Sequence, residues 1–148
     1  MKRTDFYESP PTGDILGDRP IKDFVDDMQR LVALDFDGVV HRFSRGWRGE
    51  RSIYDPPVEG IGRAMGRLVA DGYRICIVSS RARTEAGKAA IAHWLHKEGF
   101  DIYVDMITSE KMPALCYVDD RAITFTGDAE AMYSAVKNMR SWCDREDA

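Results

Sequence analysis

Cysteine is scarce in this chain. Cys76, Cys116 and Cys143 are odd in number and none belongs to a Cys-x-x-Cys pair, which argues against a disulfide framework and against a thiolate zinc site. Cys76 and Cys116 sit inside apolar runs and read as reduced core residues. Histidine is as sparse, and His93 and His96 have no carboxylate or cysteine at metal-ligand spacing. No segment stays apolar for the roughly 18 residues that a membrane span requires. The opening Met1-Lys2-Arg3-Thr4-Asp5-Phe6 lacks the apolar core of a signal peptide, so the expectation is a cytoplasmic protein with no membrane partner. An excess of positive charge is also missing: the formal net charge is -4, which excludes a wholly basic nucleic-acid coat while leaving room for a local basic patch. There is no internal repeat.

What is present is the composition of an ordinary globular domain, 44% hydrophobic and 31% charged over 148 residues, enough for one core. Residues 1–19, with Pro10, Pro11, Gly13 and Gly17 and no sustained period, read as a flexible N-terminal arm. Residues 20–148 read as one domain. It opens with a short amphipathic helix over Pro20 to Arg30, in which Ile21, Phe24, Val25 and Met28 recur at helical spacing.

The organising stretch is Leu31 to Val40, an apolar run that ends in Asp35, Asp37 and Gly38. Such a run suits a buried strand that delivers two carboxylates to a sheet edge. Asp and Gly are also ordinary turn residues, so the stretch alone does not separate chemistry from a plain acidic turn. Further along, Tyr73 to Val78 forms a second strand that stops at Ser79-Ser80-Arg81. Phe100 to Val104, reaching towards Ile107, forms a third; Ala114 to Val118 forms a fourth, ending in Asp119-Asp120; Ile123 to Phe125 is a candidate fifth. Between them lie helices. One starts near Asp55-Pro56-Pro57 and stops at Gly72, and its Gly60, Gly62 and Gly66 imply that close packing rather than propensity holds it. A second is capped by Thr84 and stops at Gly99; a third is capped by Asp128, with Met132, Ala135, Val136 and Met139 inward.

Strands alternating with helices of this length predict an α/β, three-layer Rossmann-like fold: a mainly parallel sheet with helices on both faces. In a parallel sheet all C-terminal strand ends share one edge, where open α/β sheets bind ligands. Asp35, Asp37, Ser79, Ser80, Asp119 and Asp120 therefore converge. Four carboxylates there would repel one another unless a hard divalent cation sat among them, and oxygen ligands with room for water and phosphate describe magnesium better than zinc.

At this point the chain resembles the haloacid dehalogenase-like (HAD) superfamily of phosphohydrolases, over about Leu31 to Asp128. Asp35-Phe36-Asp37-Gly38-Val39 matches its first motif, Val78-Ser79-Ser80-Arg81 resembles the second, Lys111 before Pro113 the third, and Tyr117-Val118-Asp119-Asp120-Arg121 the acidic fourth. The resemblance implies a magnesium-dependent phosphomonoester phosphatase. Asp35 would be the nucleophile that becomes an aspartyl-phosphate, and Asp37 the general acid and then base, protonated in the first step. Ser79 would hydrogen-bond a phosphoryl oxygen, with Ser80 as its alternative, and Lys111 would offset the charge. Asp35, Asp37, Asp119 and Asp120 would hold Mg2+. Gly38, Ser80, Arg81, Arg45 and Arg48 are the expected substrate-side residues, and Arg121 flanks the same pocket.

Superfamily members often carry a cap domain, but His41 to Pro57 is long enough only for a flap, so the chain looks capless. An open pocket suits a large substrate, such as a nucleic-acid end or a phosphoprotein, or a small molecule shielded by the partner subunit of a homo-oligomer. Arg42, Arg45, Arg48 and Arg51, interleaved with Phe43, Trp47 and Tyr54, tilt the expectation towards a nucleotide or polynucleotide phosphate end. A catalytically silent phosphate-binding module and an aspartyl-phosphate phosphotransferase are the competing readings.

Overall fold

The computed structural model of the chain describes residues 26–140. The arm expected over 1–19 lies outside them, as does most of the helix expected over Pro20 to Arg30, of which residues 26–28 are helical. Four strands form the sheet: β1 (Leu31–Asp35), β2 (Arg74–Val78), β3 (Val104–Thr108) and β4 (Cys116–Val118). All pair in parallel, in the order β3-β2-β1-β4. Helix α1 (Ile61–Ala70) joins β1 to β2, α2 (Glu85–Glu98) joins β2 to β3, and α3 (Ala129–Asn138) follows β4. The architecture is α/β, compatible with a Rossmann-like fold.

Period-2 alternation along β1 and β2 divides the core. Val32, Leu34, Ile75 and Ile77 meet Met65 of α1 and Ile91, Trp94 and Leu95 of α2 on one face. Leu31, Ala33 and Cys76 point to the other, where Val78, Met106, Met112 and Ala114 pack against them. Cys76 is fully buried, as expected of a core residue, whereas Cys116 on the edge strand β4 is exposed.

The glycines of α1 have specific tasks. Gly60 caps the helix at φ 79 without any side-chain hydrogen bond. A Cβ on Gly62 would collide with the Phe100 ring, and one on Gly66 would press on Tyr103. Close packing, not propensity, does position this helix. It also corrects the third strand: Phe100 is the ring that fills the α1 notch, Asp101–Tyr103 form a 3-10 turn, and β3 begins only at Val104. An apolar run of that length fits a strand or a plug equally well, and here the helix glycines make it a plug.

Thr84 caps α2 as expected, accepting from the Gly87 N–H at 3.1 Å, and Gly99 ends it at φ 75. Asp128 caps α3 by accepting from Ala131 N–H at 3.0 Å. Ile123 to Phe125, the candidate fifth strand, is irregular. The inward stripe expected on α3 also differs. Met132, Val136 and Met139 are exposed, and only Ala135 is half-buried. No helix among the described residues is long and apolar enough to cross a membrane.

Candidate functional site

The strand order places the site. The chain builds outward from β1 through β2 to β3 and then returns to the opposite side of β1 for β4. That reversal makes β1 and β4 the borders of a topological switch point, the crevice where open α/β sheets take ligands. Asp35 is the last residue of β1, and Asp119 and Asp120 follow the last residue of β4. One carboxylate oxygen from each lies within 4.8 Å of the other two, a set that could hold a metal ion. Gly38 makes this approach feasible. Its φ is 87, and a Cβ there would run into the Asp120 carboxylate.

A hollow of about 200 Å³ opens over this floor, lined by Asp35, Asp37, Phe43, Trp47, Ser79, Ser80, Asp120 and Arg121. Burial, then the charges of Asp119, Asp120 and Asp37, push the Asp35 carboxyl up to about 7, while the Phe36 N–H it accepts at 2.8 Å works the other way. A carboxylate so placed wants positive charge beside it.

Asp37 is in the reverse situation. Burial would raise it, but hydrogen bonds from His41 and Arg81 and the guanidinium charge outweigh that and hold it below the ordinary carboxylate value. Arg81 donates through Nε at 2.7 Å and Nη2 at 3.0 Å to the two oxygens of Asp37, a bidentate fork with the arginine side chain fully buried. Its Nη1 donates to the carbonyls of Gly49 at 2.8 Å and Glu50 at 3.0 Å. One guanidinium thus ties the acid loop to the flap. Arg81 is expected on the substrate side; in the structure four of its five N–H donors bond within the protein.

Sequence reasoning missed His41. The ring is fully buried, its Nε2 accepts the Asp55 N–H at 3.1 Å, and this fixes Nδ1 as the nitrogen that donates to Asp37 at 2.8 Å. It stacks on Phe36 and meets Phe43, Tyr54 and Trp94 edge-on, so the root of the flap is an aromatic cluster. No spacing rule would have found it, since Asp37 and His41 face each other across an irregular turn. In that turn the Phe36 carbonyl accepts from the Val40 and His41 N–H groups.

The other expected residues divide. Ser79 is buried at the end of β2, and its hydroxyl oxygen accepts the Arg81 N–H at 3.2 Å, leaving its O–H to donate into the hollow; Ser80 is exposed on the same wall. Gly38 directs its N–H to the His41 carbonyl at 2.8 Å and serves by its missing side chain. Lys111 is exposed, with Nζ 5.8 Å from the Tyr117 ring centre, and does not line the hollow. Arg45 lies over the Tyr54 ring at 4.3 Å, and Arg48 donates to the Arg45 carbonyl at 3.3 Å; both are exposed on the flap, outside the lining.

Residues 42–57 do form a flap with a hairpin-like root: Arg42 N–H donates to the Pro56 carbonyl and Val58 N–H to the Val40 carbonyl. Its tip is fastened by Thr84, whose hydroxyl donates to Glu50 at 2.7 Å, and by the Tyr54 hydroxyl, which donates to the Gly46 carbonyl at 2.6 Å. Phe43 is held at φ 58, the one positive φ outside glycine among the described residues. A left-handed backbone costs a side-chain-bearing residue about 1–2 kcal/mol, and such strain concentrates where a side chain must point into a site.

Comparison of the chain with protein-family models, with curated proteins and with solved structures finds no match.

Proposed function

We propose that this protein is a magnesium-dependent phosphomonoester hydrolase of the haloacid dehalogenase-like type, acting through an aspartyl-phosphate. The observation that carries the reading is the gathering of Asp35, Asp119 and Asp120 oxygens within 4.8 Å at the switch point, under a hollow that Ser79 and Ser80 also line. An all-oxygen set of this charge fits Mg2+ better than zinc. The lift of the Asp35 carboxyl to about 7 is what such a set suffers without a cation, and the bare Gly38 leaves the room that Asp120 needs. Asp35, Asp119 and Asp120 would be the side-chain ligands, and Asp37 would contribute its backbone carbonyl. Bound there, Mg2+ would supply the positive charge that keeps these carboxylates ionised and neutralises phosphoryl oxygens.

Within that reading an Asp35 oxygen attacks phosphorus and the bond from phosphorus to the ester oxygen breaks. The leaving oxygen takes a proton from Asp37 when that group carries one, or departs as an anion that solvent water protonates. Water then attacks the aspartyl-phosphate, giving up a proton as inorganic phosphate departs and Asp35 is restored. The Ser79 O–H donates to a phosphoryl oxygen, and the Arg121 side chain at the mouth adds positive charge. Asp37, ionised by Arg81 and His41, is ready for the second half, in which it takes the proton from water. For the first half it must gain a proton against that pairing, so esters whose leaving oxygen needs no acid, such as aryl phosphates, are expected to turn over fastest. Around this centre the fold would be a three-layer one, with the flap in place of a cap.

The test is hydrolysis of an aryl phosphate with and without Mg2+, for wild type and Asp35→Asn. Turnover is expected only with the metal and is expected to fall by orders of magnitude in the variant, with the circular dichroism spectrum unchanged. Binding of phosphate without turnover in wild type would instead establish the silent module. Diversion of phosphoryl groups to added alcohols would mark a phosphotransferase.

A further inference from the structure

The hollow has a floor of carboxylates and serines but a side wall of two rings, Phe43 and Trp47. Trp47 is 47% exposed, and Arg81 lies under it with Cζ 4.7 Å from the ring centre. Phe43 stacks on Tyr54 with centres 6.5 Å apart and planes at 22°, so its ring is backed on that side too. A wall of this kind offers flat apolar surface, which a phosphosugar with no base would leave uncovered. It suits a planar group that can stack. The flap that carries both rings is also basic in an acidic chain: residues 42–52 contain four arginines against Glu50, while the whole protein is at -4. Arg42, Arg45, Arg48 and Arg51 are all exposed, and Arg121 stands exposed at the mouth. A phosphopeptide has no regular series of anions to meet such a set. A nucleic-acid strand has one per nucleotide.

We propose that the site takes the phosphorylated end of a single-stranded nucleic acid, with the terminal phosphate over Asp35 and Ser79, the terminal base against Trp47 and Phe43, and the following phosphates on the flap arginines. This rests on the phosphatase reading for the seat of the terminal phosphate. The rings and arginines are an independent set of observations, and their contribution is separable in experiment.

The first measurement compares kcat/KM for ribose 5-phosphate, a nucleoside 5′-monophosphate, a phosphotyrosyl peptide and a short oligonucleotide phosphorylated at its 5′ or 3′ end, over a range of NaCl concentrations. The oligonucleotide is expected to exceed ribose 5-phosphate by about tenfold or more. Its KM is expected to rise with salt, with a log–log slope of about 0.7 for each phosphate held. Trp47→Ala should raise the oligonucleotide KM by about tenfold, the range expected for loss of one stacked base. Replacing Arg45 and Arg48 by Gln should flatten the salt slope. Equal rates on ribose 5-phosphate, equal rates on the mononucleotide, a salt-independent KM or a preference for the peptide would each overturn the proposal.

The second measurement needs no turnover. The tryptophan fluorescence of the Asp35→Asn chain is titrated with the same phosphorylated oligonucleotide. Saturable quenching that is absent when Trp47→Phe is added supports the proposal even if no ester is hydrolysed and the phosphatase reading falls. A flat titration overturns it even if aryl phosphate is hydrolysed.

Discussion

Two aspartates two residues apart end up in opposite electrostatic states, and their neighbours explain why. Asp35 faces other carboxylates and holds its proton to about 7, whereas Asp37 faces Arg81 and His41 and stays below its ordinary value of 3.8. The sequence shows both acids and the glycine, and from them the candidate site, but not which acid carries the proton. That depends on Arg81 and His41, partners brought in by folding. Asp35 has a measurable consequence for stability. Between 3.8 and about 7 the folded chain binds a proton there that the unfolded chain has lost. Stability without a divalent cation should therefore fall as pH rises through that window, by up to about 4 kcal/mol. Asp37 acts in the opposite sense and lower, its contribution being in place above its ordinary value and lost only as pH falls below it. Thermal melts at pH 5 and pH 8 with and without Mg2+ check this: a lower melting temperature at pH 8, restored by Mg2+, is expected. Gly38 is the other residue with a sharp test. Gly38→Ala places a methyl group against the Asp120 carboxylate at a left-handed φ of 87, so Mg2+ affinity by calorimetry should drop tenfold or more. The backbone strain should cost about 1 kcal/mol in urea denaturation.

At the scale of elements, the pieces legible in the sequence were those whose signal is local. Short apolar runs ending in acid or serine marked β1, β2 and β4, and Thr84, Gly99 and Asp128 marked helix ends through their own side chains or lack of one. The pieces that were not legible depend on distant partners. Phe100 to Tyr103 has strand composition, yet it fills a notch cut by Gly62 and Gly66. The expected inward stripe of α3 has helical spacing but remains exposed at Met132 and Val136. The flap is held by a side chain from the loop after β2, as Arg81 bridges Asp37 and the Gly49 and Glu50 carbonyls. Arg81→Gln would leave Asp37 without its buried countercharge and release the flap. A loss of about 3 kcal/mol in urea denaturation is expected, together with faster proteolysis between Arg42 and Arg51. A stability unchanged from wild type would mean that the flap is held by its aromatic root alone.

Taken as a whole, the molecule gathers acids and serines at one sheet edge. Parallel pairing sends β1, β2 and β4 the same way, so residues far apart in sequence arrive at one hollow, and the return of the chain to β4 opens the crevice between Asp35 and Asp119. That convergence could be anticipated from the order of strands and helices, because parallel geometry leaves few alternatives. The position of Lys111 could not, since it lies on an irregular stretch whose path only the fold determines. If the convergence serves phosphoryl transfer, the covalent intermediate must form on one residue. The decisive observation is an acid quench of the full chain during turnover of an aryl phosphate with Mg2+, followed by peptide mapping by mass spectrometry. The peptide containing Asp35 should gain the mass of one phosphoryl group, only in the presence of Mg2+, and the corresponding peptide of Asp35→Asn should not. A phosphoryl group on a different residue, or undiminished turnover by Asp35→Asn, would contradict it.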